Sequence, residues 1–125
     1  MTPRLTPREL GIHGERVAEE RLVGLGYRIL DRNWSWPGGE LDLVAEQNGE
    51  IVFVEVKARR SQTFGPPEES ITRAKREKLI QTAHVYLGSV KRQDSPWRID
   101  VVAIDMERDG TVIRLEHIVS AVEGD

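Results

Sequence analysis

The stretch Gly39-Glu-Leu-Asp-Leu-Val-Ala-Glu-Gln-Asn-Gly-Glu-Ile-Val-Phe-Val-Glu-Val-Lys-Ala-Arg-Arg60 decides how this chain folds. Two apolar, β-rich runs flank Asn48-Gly49, the dipeptide that most favours a two-residue type I′ turn. Such a turn sets Gln47 opposite Glu50. Continuing the ladder puts Asp42 opposite Glu55 and Glu40 opposite Lys57. The other face then pairs Leu41 with Val56, Leu43 with Val54 and Ala45 with Val52, an apolar core face.

This register gathers ionisable groups on one side. Like charges directly opposite in a sheet are destabilising, with Cβ atoms about 4.5–5.5 Å apart. Solubility gains nothing from setting Asp42 against Glu55. A divalent cation between them removes the conflict, and two carboxylates plus waters suit Mg²⁺. Glu55 and Lys57 share a strand face, about 7 Å apart. Acids that hold a metal beside a lysine suit phosphodiester hydrolysis: the metal acidifies a water and the lysine orients or deprotonates it. A cross-strand Glu40–Lys57 ion pair accounts for the lysine alone, but leaves Asp42 facing Glu55 unexplained.

The length of 125 residues fits one domain, residues 1–125, with a real core. Hydrophobic residues make up 38% and charged residues 31%, the balance of a soluble globular protein. No run approaches the about 18 apolar residues of a membrane span. Met1-Thr-Pro-Arg-Leu-Thr6 lacks the apolar core of a signal peptide, and the chain has no cysteine. The expected compartment is the cytoplasm. Net charge is −3, which argues against a protein that coats nucleic acid. Locally, however, Lys57, Arg59, Arg60, Arg73, Lys75, Arg76 and Lys78 outnumber Glu68, Glu69 and Glu77. That basic run fits either a nucleic-acid contact, with Arg59, Arg60, Arg73 and Lys75 as candidates, or a solvated helix face.

Around the hairpin the chain reads α-β-β-β-α-β-β. Thr6-Pro7-Arg8-Glu9 starts a helix with a capping box, its stripe runs from Leu10 to Leu25, and Gly26 is placed to end it. Glu15 borders that stripe, either as a third carboxylate for the site or as a surface residue favoured near a helix start. Tyr27–Trp34 is the first strand, then Glu40–Ala45 and Ile51–Ala58. Ser61–Pro67 is a loop that either contacts substrate or merely connects. Thr72 caps a second helix to Leu87, with Gly88 ending it. Trp97–Ile104 and Thr111–Ile118 are the last strands, turned at Asp109-Gly110. A helix separates the third and fourth strands, so that pair should be parallel with a right-handed crossover. The expectation is a mixed β-sheet flanked by helices. Asp100 reads as a hydrogen-bonded structural acid, His13, His84 and His117 as isolated histidines, and Trp34 and Trp36 as core-edge aromatics more readily than base-stacking platforms.

Glu15, then Glu40-Leu-Asp42, then Glu55-Val-Lys57 resembles the E…D…ExK arrangement of PD-(D/E)xK nucleases, in particular archaeal Holliday-junction resolvases. Gly14-Glu15-x-x-Ala18, Gly39-Glu-Leu-Asp-Leu-Val44, Val52-Phe-Val-Glu-Val-Lys-Ala-Arg59, Lys75 with Ala83…Tyr86-Leu87, and Arg98-Ile-Asp100-Val-Val102 resemble the YraN-like family of bacterial proteins. The resemblance implies a restriction-endonuclease-like fold, with Asp42 and Glu55 as Mg²⁺ or Mn²⁺ ligands, Lys57 as catalytic lysine and Glu15 completing the site. It also implies hydrolysis of DNA, branched or damaged DNA included. Two readings compete with that one. A non-catalytic nucleic-acid-binding accessory protein would keep the fold and the basic run. A metal-free hydrolase using paired carboxylates is disfavoured, because Asp42 and Glu55 sit too close for an inverting pair. A homodimer is left open.

Overall fold

Local capping chemistry sets the helices. Helix α1 (Pro7–Gly24) begins where the Thr6 hydroxyl accepts from the Glu9 amide at 3.1 Å and the Glu9 carboxylate accepts from the Thr6 amide at 2.9 Å. This reciprocal cap satisfies two amides that the helix itself cannot. The helix ends as expected at Gly26, whose φ of 93° lets the Gly26 and Tyr27 amides bond back to Val23 and Leu22 at 3.0 Å. Helix α2 (Arg73–Ser89) starts at the expected cap, Thr72, which accepts from the Lys75 amide at 3.2 Å. Its end departs from expectation. Gly88 stays inside the helix, and Lys91, at φ 57°, takes the left-handed position. The Arg92 amide then closes on the Leu87 carbonyl at 2.8 Å. Tyr86 and Leu87 are both buried, so core packing sets the stop in place of the glycine.

The computed structural model describes residues 4–60 and 71–122; the Ser61–Pro67 loop lies outside them. The strands are β1 (Arg28–Trp36), β2 (Gly39–Gln47), β3 (Glu50–Arg60), β4 (Trp97–Met106) and β5 (Val112–Val122). They form one mixed sheet in the order β1-β2-β3-β4-β5, with the expected element order α-β-β-β-α-β-β. The β3–β4 pair is parallel, from Ile51 with Trp97 to Arg60 with Met106, and the other pairs are antiparallel.

Asn48 and Gly49 have φ of 52° and 82°, both positive as a type I′ turn requires. The predicted register holds from Gln47–Glu50 to Leu43–Val54. There the backbone ladder gives way. The Val56 amide bonds at 2.8 Å to the side chain of Asp42. Across in β1, Asn33 sits at φ 49° between the Arg32–Leu43 and Trp34–Leu41 pairs. This left-handed kink breaks the alternation. Leu41 is therefore buried on the opposite face from Val56 and does not pair with it. Glu40 does not face Lys57 for the same reason.

Each helix covers one face of the sheet. Leu10, Ala18 and Leu22 of α1 pack on Leu43, Val52, Val54 and Val102. Leu79, Ala83, Tyr86 and Leu87 of α2 pack on Val44, Ile51, Phe53 and Ile99. Strand β3 is thus buried on both faces, which explains its nearly continuous apolar run.

At one point the α1 backbone lies directly over the side chain of Ala58 in β3. A Cβ built on Gly14 would lie 2.5 Å from the Ala58 Cβ. Gly14→Ala should therefore push α1 off the sheet and lower unfolding free energy in urea by about 1–3 kcal/mol. Adding Ala58→Gly to that variant should restore most of the loss; an unchanged midpoint in the single variant would refute the contact.

Candidate active site

The break in the β2–β3 ladder puts ionisable side chains where strand pairing stops. Ile51 and Phe53 face α2, and alternation carries Glu55 and Lys57 to that same face. The first turns of α2 bring Lys75 over them. Glu55 Oε1 receives Lys75 Nζ at 3.2 Å and Lys57 Nζ at 3.4 Å. Asp42 lies beside this trio, close enough for the Glu55 charge to act on it. Lys57 thus takes Glu55 as its ion-pair partner in place of Glu40.

The electrostatics of the cluster are lopsided. Burial, then the charge of Glu55, pushes the Asp42 carboxyl up to about 7, with Glu15 and Glu40 adding to the rise and the Val56 amide opposing it. Glu15 on α1 is also raised, by burial first and then by Glu40 and Glu55, against a bond from Asn33 that lowers it. The two lysines move in opposite directions. Burial and the neighbouring Lys75 hold Lys57 below the ordinary lysine value, against the pull of Glu55. Burial alone would lower Lys75 too, but its bond to Lys57 and the charges on Glu55 and Asp42 raise it.

The donor set suits a hard divalent cation. Its atoms are carboxylate oxygens, and Asp42 is held in an excess of negative charge that a cation would relieve. The fit is to a pair, Asp42 and Glu55, completed by water. Among the described residues, no three His, Cys, Asp or Glu side chains come together to hold a metal ion. Glu15 stands at electrostatic range of the pair.

The described residues of the basic run have different partners. Lys75 joins the carboxylate cluster through Glu55, a placement that the charge run alone does not reveal. Helical spacing from Thr72, laid over the α2 face of β3, is the signal that finds it. Arg59 pairs with Asp105 at 2.7 Å and Arg73 with Glu77 at 3.3 Å, while Arg60 ends β3. The tryptophans divide. Trp34 packs edge-on against Tyr86, with ring centres 5.2 Å apart. Trp36 donates from Nε1 to Thr82 Oγ1 at 3.1 Å and lines a cleft beside the acids.

The remaining singled-out residues make their contacts outside the carboxylate cluster. Asp100 is 0% exposed and accepts from Arg98 Nε at 3.0 Å and the Ser120 amide at 2.9 Å. His117, which had no visible partner in the sequence, lies with Nε2 2.8 Å from Asp100 Oδ2. A shift in the β4–β5 register between Ile99 and Val101 hides that pairing from simple counting. His13 bonds the Gly110 carbonyl at 3.0 Å, and His84 stacks edge-on with Trp97 at 5.1 Å. Among the described residues, no helix is long and apolar enough to cross a membrane.

Among solved structures, the fold is similar to a fdxN element excision controlling factor protein from Anabaena variabilis. That match has 14% identity and a TM-score of 0.44, covering 83% of this chain and 98% of that one. It is also similar to Pyrococcus furiosus SfsA in complex with Ca²⁺, at 19% identity and a TM-score of 0.40, covering 85% of this chain and 61% of that one. Sequence relatives are far nearer. A UPF0102 protein of Moorella thermoacetica is 46% identical over 117 residues, covering 94% of this chain and 98% of the relative. One from Roseiflexus castenholzii is 44% identical over 124 residues, covering 98% of each. The model of the uncharacterised protein family UPF0102 matches residues 14–104, which takes in Glu15, Asp42, Glu55, Lys57 and Lys75, and the chain belongs to that family.

Proposed function

We propose that this protein is a metal-dependent nuclease that hydrolyses DNA phosphodiester bonds. One observation supports the reading: two lysines, Lys57 and Lys75, converge on Glu55 within 3.4 Å, beside an Asp42 whose ionisation is resisted by burial and by three neighbouring acids. A structural ion pair needs one lysine and no second acid. Asp42 and Glu55 would hold Mg²⁺ or Mn²⁺, with Glu15 adding negative charge nearby. When bound, the cation supplies Lewis-acid polarisation of the phosphate and an acidified water. Lys57, with its lowered proton affinity, orients the attacking water and takes its proton. Lys75 keeps its proton and offsets the charge that develops on the phosphate.

The test is cleavage of linear and branched DNA in Mg²⁺ or Mn²⁺ against an EDTA control, together with calorimetric titration of either metal. Metal-dependent cleavage is expected, with carboxylate-dependent metal binding that Asp42→Asn weakens by at least about tenfold. Salt-sensitive DNA binding without cleavage in either metal would reject the nuclease and leave a nucleic-acid-binding accessory protein.

A further inference from the structure

A cleft of about 500 Å³ opens beside the acids, between the β1–β2 turn and α2. This is within the range of about 300–1,000 Å³ for small-molecule sites. Its parts are arranged by chemistry. Trp36, Pro37 and Leu79 supply apolar and aromatic wall, the Thr82 hydroxyl lies at depth, and Lys75 and Lys78 bring positive charge to the side that Glu40, Asp42 and Glu55 also line.

The turn that shapes the cleft is fixed. Trp36 is tied to the buried Thr82 through its indole N–H. A Cβ on Gly38 would collide with the Trp36 ring, and one on Gly39 would lie 2.5 Å from Thr82 Oγ1. Two glycines at Gly38 and Gly39 are thus what lets the turn close onto α2. The Trp36 ring is held at one side of the opening instead of filling it.

A slot with an aromatic wall, one buried hydroxyl and two lysines beside acids suited to a divalent cation matches one nucleotide. The base occupies the apolar part, and its phosphate faces Lys75, Lys78 and the acids. A base stacked and paired within a duplex cannot enter a gap between a strand turn and a helix. We infer that the cleft between the β1–β2 turn and α2 is a binding site for one unstacked nucleotide of a DNA strand, so that DNA carrying an unpaired nucleotide is preferred over continuous duplex. Base–aromatic stacking on Trp36, with Lys75 and Lys78 on the phosphate, accounts for a preference of about tenfold or more. This rests on the nuclease reading for the orientation of the phosphate, but not for the existence of the slot.

The experiment is fluorescence anisotropy of the full chain in Ca²⁺, with two labelled DNAs that differ only in a single-nucleotide flap. The expected ratio of Kd values, paired over flapped, is about ten or more. Trp36→Ala and Lys78→Met should each bring that ratio towards one. Lys78 is exposed, so its variant keeps the test valid should Trp36→Ala fold poorly. A wild-type ratio near one overturns the site, as does a ratio that survives Lys78→Met and Trp36→Ala in folded protein. Failure of the nuclease reading looks different: no cleavage in any metal, with the flap preference and its sensitivity to Lys78→Met intact.

Discussion

Lys57→Met is expected to slow single-turnover DNA cleavage by about 10²–10⁴-fold, the usual worth of a positioned proton acceptor, while leaving the Kd for DNA nearly unchanged. Methionine keeps the length of the side chain and its apolar stem, so the loss reports the amine. Lys75→Met should behave differently. The protonated Lys75 lowers the proton affinity of Lys57, and its removal lets that affinity rise. Cleavage that needs a neutral Lys57 increases with pH through the lysine's pKa, so the Lys75→Met profile should shift to higher pH. A cleavage rate indifferent to Lys57→Met would remove the amine from the mechanism. A Lys75→Met profile with lower amplitude but an unmoved midpoint would reduce Lys75 to a charge that binds phosphate.

The second large effect lies in folding, at the opposite side of the sheet. Asp100→Ala should cost about 3–5 kcal/mol of unfolding free energy, a fall in Tm on the order of 10–20 °C. The reason is the company Asp100 keeps. Arg98, only 15% exposed, loses Asp100 but keeps Glu50 at 2.5 Å and the Tyr27 hydroxyl at 2.8 Å; the Ser120 amide and His117 lose their acceptor outright. Burial would raise the Asp100 carboxyl, but His117, Arg98 and the Ser120 amide together bring it below the usual value. The sign follows. A depressed carboxylate stabilises the fold fully above its unfolded pKa of about 4, and that contribution is lost as pH falls through the lower folded value. Wild type and Asp100→Ala should therefore differ most at neutral pH and converge in acid below about pH 4. Thermal unfolding from pH 7 to pH 2 checks this; a difference that is constant with pH would mean that shape, not charge, is lost.

Much of this architecture is legible in local chemistry. The Thr6 cap, the Asn48-Gly49 turn and alternation through Val52 and Val54 carry their own instructions, and the structure follows them. The departures occur where a nonlocal demand wins. Leu41 changes face where a left-handed Asn33, next to its partner Trp34 on the adjacent strand, kinks the pleat. Gly88 does not end α2 because Leu87 has to be buried. In the site, Glu55 and Lys57 share a face by simple period-two spacing. That Lys75 also joins Glu55 was not legible, because charge runs along a helix look alike until the strand beneath them is known. The Trp36–Thr82 tie spans 46 positions, a contact no local pattern encodes.

The Asp42–Val56 bond has a bearing on how a site of this kind would decay. One carboxylate is both candidate ligand and rung of the sheet, since it accepts the amide that the broken ladder leaves without a backbone partner. Alanine there would strand a part-buried N–H at a cost of about 1–3 kcal/mol, whereas asparagine offers a carbonyl oxygen in the same place. A lineage that abandoned the chemistry would still be held by folding to an oxygen-bearing side chain at this position. An acid or amide retained at position 42 thus testifies to the sheet, and a descendant's activity is better judged at Lys57, where the fold makes no such demand.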